Sequence, residues 1–234
     1  MRSTKESPVR RRAARMDPAE RKRMIVQKAV DYFAEHGFGG STRELARQIG
    51  VTQSLLYRYF PTKQALFDEV YNQVYLARWN PQWEEMLRDR SKPFERRLKA
   101  YYLEYAQNLI QNDWVRILIL AGLHQKGINN KLFELLQKGI FKTVVLEARH
   151  EYGFVAKPRD DLALEIELVW ALHASIFYIG MRRWVYHTAT PQNFNAVIEA
   201  LVEGFMESVA HLYHKRMRNR ETKAARGSTG PLSS

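Results

Sequence analysis

The stretch STRELARQIGVTQSLLYRYFPTKQALF, residues 41–67, constrains the fold more than any other part of this chain. Ser41 and Glu44 stand as S-x-x-E, a capping box that starts a helix at Thr42. Leu45, Ala46 and Ile49 give that helix one apolar stripe, and Gly50 suits the left-handed backbone that ends it. Thr52 is a favourable N-cap for a second helix, Gln53 to Tyr59, about two turns and ~10 Å long. Leu56 and Phe60 fall on one buried face, and Val51 plugs inward from the turn. Pro61 stops the second helix, and Thr62 caps another beginning near Lys63. Two short capped helices joined by a tight turn are the layout of a helix-turn-helix DNA reader.

Each exposed residue of this segment has a role in such a reader. Gln53 can pair bidentately with adenine, and Arg58 with guanine or a phosphate. Ser41, Thr42, Thr52, Ser54 and the hydroxyls of Tyr57 and Tyr59 are phosphate-type donors, which position rather than specify. Lys63 adds a cation at the start of the next helix, beside backbone N–H groups that favour anions. The alternative is a surface helical hairpin whose aromatics only pack. Seven residues this polar, bracketed by caps and a proline stop, argue against it.

Thr42, Leu45, Ala46, Gly50, Val51, Thr52, Leu56, Tyr57, Tyr59, Phe60, Lys63 and Leu66 together resemble the signature of TetR-family transcriptional regulators. The departures are Leu45 where isoleucine is usual and Thr52 where serine is usual. The likeness covers the N-terminal quarter; the rest is similar in helical character and length. It implies that Thr42, Arg43, Gln53, Ser54, Tyr57, Arg58, Tyr59 and Lys63 touch DNA, with Leu55 at a base-facing position.

A helix preceding the segment completes a small domain. Asp17-Pro18-Ala19-Glu20 combines an N-cap, a first-turn proline and a capping-box glutamate. Ile25, Ala29 and Phe33 then recur every four residues, Gly37 ends the helix, and Phe38 folds back onto the core. The expected organisation is a disordered basic arm (1–16), a DNA-binding domain (17–63), a ligand-binding and dimerisation domain (64–215) and a disordered basic tail (216–234). The net charge of +12 is concentrated at the ends. Residues 1–15 carry six basic side chains against Glu6, and residues 215–234 carry six against Glu221. Arg10, Arg11, Arg12 and Arg15 suit a minor-groove or phosphate arm, and a solubilising tail is the other reading.

Beyond Thr62 every strong periodicity is helical, so the class is all-α, a bundle of about nine helices. With no cysteine, disulfides and thiolate metal sites are excluded. The N-terminal residues lack the apolar core of a signal peptide, and the apolar run Leu168 to Met181 falls short of the ~20 residues that span a bilayer. A soluble, cytoplasmic protein with no membrane association is expected. The helix over 160–187 is apolar around most of its circumference and carries Ala171, Ala174, Ser175 and Gly180. Such a helix needs burial on several sides, and a homodimer through the last two helices, as the resemblance implies, provides it. A central core helix explains the pattern as well.

Nothing in the chain reads as an enzyme. Glu207, His211 and His214 share one helix face but lack a further ligand, and Glu147-x-x-His150 is half of a di-iron motif that must occur twice. No metal or other cofactor is expected. The resemblance implies an inducer pocket in the second domain, for which Trp114, His124, Trp170, His173, Phe177 and Tyr178 are candidates as aromatic or polar groups within apolar helices. The expected function is a sequence-specific transcriptional regulator acting on a double-stranded DNA operator, a repressor released by a small-molecule inducer. Alternatives are an activator or ligand-independent member of the family, and more remotely a helical enzyme or metal protein.

Overall fold

The computed structural model describes residues 16–124, 129–157 and 162–228. Their secondary structure is helical throughout: α1 (Pro18–His36), α2 (Thr42–Ile49), α3 (Gln53–Tyr59), α4 (Lys63–Tyr71), α5 (Gln82–Arg88), α6 (Phe94–Leu109), α7 (Asn112–His124), α8 (Asn130–Leu135), α9 (Lys142–Glu151), α10 (Leu162–Trp184) and α11 (Phe194–Ser228). A π-helical turn, Asn72–Leu76, prolongs α4, and another, Leu136–Phe141, joins α8 to α9 in one rod. That makes ten continuous helices among the described residues, against about nine expected. The addition is α5. Asn80-Pro81 reads in sequence as a break, yet Asn80 Oδ1 accepts from Gln82 N at 2.9 Å and Asn80 O from Trp83 N at 3.2 Å, a turn that leads directly into a new helix burying Trp83 and Leu87.

The head is built from α1 to α3 with the first turns of α4. Asp17 caps α1, accepting from Ala19 N and Glu20 N at 2.9 and 3.3 Å. Ile25, Val26, Ala29, Val30 and Phe33 are buried against Leu45, Ala46, Ile49, Leu56 and Phe60. Phe38 closes the floor, its ring 4.6 Å from that of Phe33 and 4.3 Å from that of Phe67. Gly37 turns the chain with φ 70, a conformation that disfavours any residue with a Cβ.

The body centres on α6, whose Tyr101, Tyr102 and Tyr105 are fully buried among Trp83, Trp114 and His173. Glu147, the residue that looked like half a metal motif, is instead a structural carboxylate. Arg90 grips it bidentately at 3.0 and 2.9 Å, and buried Arg97 donates to it at 3.0 Å. Burial raises its pKa, and the two guanidiniums more than offset this, leaving the group ionised.

Two expectations about the C-terminal half change. The last helix runs past Lys215 to Ser228, so residues 216–228 are helical rather than a disordered tail. The reason lies in their basic side chains: Arg216 Nη1 donates to buried Glu165 on α10 at 2.7 Å, and the Arg220 guanidinium stacks over Phe154 at 4.6 Å. Residues 229–234 and the basic arm over 1–15 lie outside the described residues, as do Asp160 and Asp161, expected to start α10. That helix spans 23 residues, longer than its apolar run, and is long and apolar enough by length and composition to cross a membrane. Within its most apolar window only 39% is buried inside the protomer.

Candidate nucleic-acid interface and body cavity

The reading segment is held from beneath and left open above. Leu56 and Phe60 are 2% and 3% exposed and anchor α3, whereas Gln53, Ser54, Tyr57 and Arg58 are exposed. Ser41 Oγ caps α2 by accepting from Glu44 N at 3.2 Å, and Thr52 Oγ1 caps α3 by accepting from Leu55 N at 3.2 Å. Gly50 takes the left-handed conformation, φ 77, that the turn requires. A hydroxyl used as a cap acceptor keeps its own hydrogen for an incoming anion.

Three of the predicted contact residues are wired together. Thr42 Oγ1 lies 2.9 Å from Tyr57 Oη, and Gln53 Nε2 donates to the same Thr42 oxygen at 3.2 Å. The first residue of α2 therefore fixes the rotamers of two side chains on α3. Gln53 keeps its amide oxygen and one N–H for a base edge. Arg43 and Arg58 are exposed and pair with no acidic side chain among the described residues. Arg47, by contrast, is committed to Glu44 at 2.6 Å, and this hydrogen bond holds the Glu44 carboxyl below its usual pKa.

Two predicted residues sit differently. Tyr59 is half-buried, its ring packed against the core. Lys63 is also half-buried, and its Nζ donates to the carbonyls of Phe38 and Gly40 at 2.5 and 2.6 Å. Its ammonium is aimed at the α1–α2 loop, because the first turn of α4 runs beneath that loop. Lys28, which sequence reading passed over, makes the matching tie by donating to Ile49 O at 3.0 Å. No sequence spacing announces either clamp, since both join a cation to a backbone carbonyl more than twenty residues away.

The body holds a cavity of about 310 Å³ bounded by α7, α8 and α10. Trp114, Trp170, His173 and Phe177 line it, together with Leu118, Asn129, Leu132 and Phe133. His124 does not: ten residues beyond Trp114, the helical repeat carries it to the far side of α7, into a small recess with Phe38, Lys63 and Phe67 at the head–body junction. Tyr178 does not either. One residue past Phe177 turns it roughly 100° outward, where it is 51% exposed and its ring meets Tyr186. A second recess of similar volume, beside α6 and the end of α10, carries Gln107, Gln111 and Arg183 and contains none of the six predicted residues.

The cavity wall is also the contact between head and body. Arg116 on α7 donates to Ala34 O at 2.5 Å and Glu35 O at 3.4 Å in the last turn of α1, and to Trp184 O at 3.1 Å at the end of α10. Arg78, just beyond the π-turn after α4, holds Asp113 bidentately at 3.2 and 2.5 Å. Sequence reading missed both arginines, which lie among apolar neighbours with no recognisable motif.

An exposed two-turn helix, capped, propped by a small apolar core and followed by an all-α body, defines a helix-turn-helix protein of two parts. Residues 25–70 match the family model for bacterial regulatory proteins of the tetR family. The HTH-type transcriptional regulator LuxR of Vibrio harveyi is 34% identical over 70 residues, 30% of this chain and 34% of that protein, so the match spans about a third of the relative. The tetR-family transcriptional regulator of Streptomyces coelicolor superposes with a TM-score of 0.57 at 17% identity, covering 89% of this chain and 90% of that one. AmtR of Mycobacterium smegmatis gives 0.54 at 20% identity, covering 86% and 89%. At such identities these likenesses carry the fold. The tetR-family match is confined to residues 25–70, the helix-turn-helix head, and the rest of the chain is similar to these regulators in fold.

Proposed function

We propose that this protein regulates transcription by binding a DNA operator as a homodimer, and that it is a repressor released when a small molecule fills the body cavity. The observation that carries the DNA reading is the exposed α3 surface. Gln53, Ser54, Tyr57 and Arg58 face solvent on a helix narrow enough for a major groove, and no core contact explains them. Gln53 and Arg58 are the base readers in this view; Ser41, Thr42, Arg43, Thr52, Ser54 and Tyr57 hold the phosphates.

Dimerisation follows from what the protomer leaves uncovered. On α10, Ala171, Ser175 and Tyr178 form one exposed stripe, and on α11 Ala200, Gly204 and Ser208 form another of small residues at four-residue steps. Small side chains let a second pair of helices approach closely, and apolar area disfavours exposure to water. A dimer sets two α3 helices on half-sites about 34 Å apart.

Release works through α7. It lines the cavity with Trp114 and Leu118 and holds α1 through Arg116. A ligand that pushes α7 shifts the carbonyl contacts of the head, so ligand and operator favour different arrangements of one rigid element. The test is a mobility shift on duplex fragments from upstream of the protein's own gene, with and without extracts of small molecules. Sequence-preferring binding that weakens with the extract supports both parts; binding with no sequence preference overturns the first.

A further inference from the structure

Three side chains that share the body cavity each carry a buried polar atom without a hydrogen-bond partner among the described residues: Trp114 Nε1, Asn129 Oδ1 and His173 Nδ1. Their residues are 1%, 9% and 5% exposed. Other unpartnered atoms, on Trp83, Tyr101 and Tyr102, lie in the packed aromatic stack; these three belong to side chains that line one cavity. Leaving such a group unpaired costs ~1–3 kcal/mol, so an occupant that pairs them is favoured over one that does not.

The protons can be assigned. Trp114 Nε1 is a donor only. The second amide position of Asn129 is fixed, because Nδ2 donates to Leu118 O at 3.0 Å, so Oδ1 is an acceptor. His173 Nε2 lies 3.1 Å from Tyr105 Oη. Burial drives the tyrosine pKa far up and lowers that of His173 to about 3, so the imidazole is neutral and the phenol keeps its proton. The phenol has no other acceptor among the described residues, so it donates to Nε2 and His173 carries its proton on Nδ1. These side chains thus offer two donors and one acceptor, and no charged side chain among the described residues lines the cavity.

Resting on the reading of this cavity as the effector site, we propose that it takes an uncharged planar ring compound with a carbonyl beside an N–H or O–H group, as in a lactam. The carbonyl's two lone pairs accept from Trp114 and His173, the adjoining donor serves Asn129, and the ring lies among Trp170, Phe177 and Leu118. At about 310 Å³ the space is at the small end of the ~300–1,000 Å³ range for ligand sites, which suits one or two fused rings.

Four probes of matched skeleton test this on the full-length protein by calorimetry: 2-quinolone, naphthalene, quinoline-2-carboxylate and 2-naphthylmethylamine. The expected result is 2-quinolone binding at least ~10-fold more tightly than the other three, with Trp114→Phe reducing that advantage by ~3–10-fold, the range for one hydrogen bond. His173→Gln serves the same comparison should Trp114→Phe lose its cooperative melt. Either ion binding as tightly as 2-quinolone, or naphthalene equalling it, overturns the proposal. Operator binding is read in parallel. Sequence-specific DNA binding without discrimination among probes removes this inference and leaves the regulator reading standing. Discrimination without any change in DNA affinity does the reverse for ligand release.

Discussion

Tyr75 Oη donates to the backbone carbonyl of Trp114 at 3.1 Å, and the two rings meet edge to face at 5.5 Å. Tyr75 lies in the π-turn at the end of the α4 rod, the element that leaves the head, and Trp114 is a wall of the body cavity. A single buried contact therefore joins the part that would sense a ligand to the part that would move the reader. Tyr75→Phe removes the hydrogen bond and keeps the ring. The expected stability loss is ~1 kcal/mol, with operator affinity in the absence of ligand little changed and the ligand's effect on that affinity diminished. Denaturant unfolding and operator titrations with and without ligand check this; undiminished coupling would place the transmission elsewhere.

Lys63 separates two explanations of one defect. Bonded to Phe38 O and Gly40 O, its ammonium supports the loop before α2. Lys63→Met should lower the stability of the head and weaken every operator alike, while the slope of log affinity against log salt stays unchanged. If Lys63 contacts a phosphate when DNA binds, that slope should instead fall by about one.

Gln53 and Tyr57 share Thr42 as a partner but should fail differently. Gln53→Ala should relax preference at one base pair, at ~1–3 kcal/mol of discrimination. Tyr57→Phe should weaken binding uniformly. A binding-site selection with each variant distinguishes the outcomes, and a uniform loss from Gln53→Ala would remove it as a base reader.

Acid should destabilise the body through His173. Its folded-state pKa is lowered by burial from 6.5 to about 3. Between those values the unfolded chain binds the proton and the native state does not, so stability is intact above pH 6.5 and is lost as the pH falls toward 3. His173→Gln should flatten the pH dependence of the melting temperature in that window. An equally steep profile in the variant would assign the acid sensitivity to other groups.

The head was legible because its signals are local. Caps at Asp17, Ser41, Thr52 and Thr62, the left-handed Gly50 and the Leu56/Phe60 pair each act within a turn of where they occur in sequence. Trp114, Trp170, His173 and Phe177 share a cavity because bulky aromatic and polar groups within apolar helices pack imperfectly against one another. Which side of a helix faces that cavity is a tertiary property, and this is why His124 and Tyr178 fall elsewhere. The clamps at Lys28, Lys63 and Arg116 join cations to distant carbonyls, for which sequence carries no pattern. The helical extension over 216–228 was hidden for a related reason: Arg216 looks like part of a solvated basic run until Glu165 is found beneath it.

The central claim is that the exposed side of α3 reads base edges. Selection of bound fragments from a random duplex pool by the full-length protein tests it most directly, at low ionic strength, beside an Arg58→Ala variant. The expected result is a two-fold symmetric pair of half-sites about one helical turn apart, with preference blurred in the variant. A pool that emerges unselected, or one selected identically by both proteins, would contradict it.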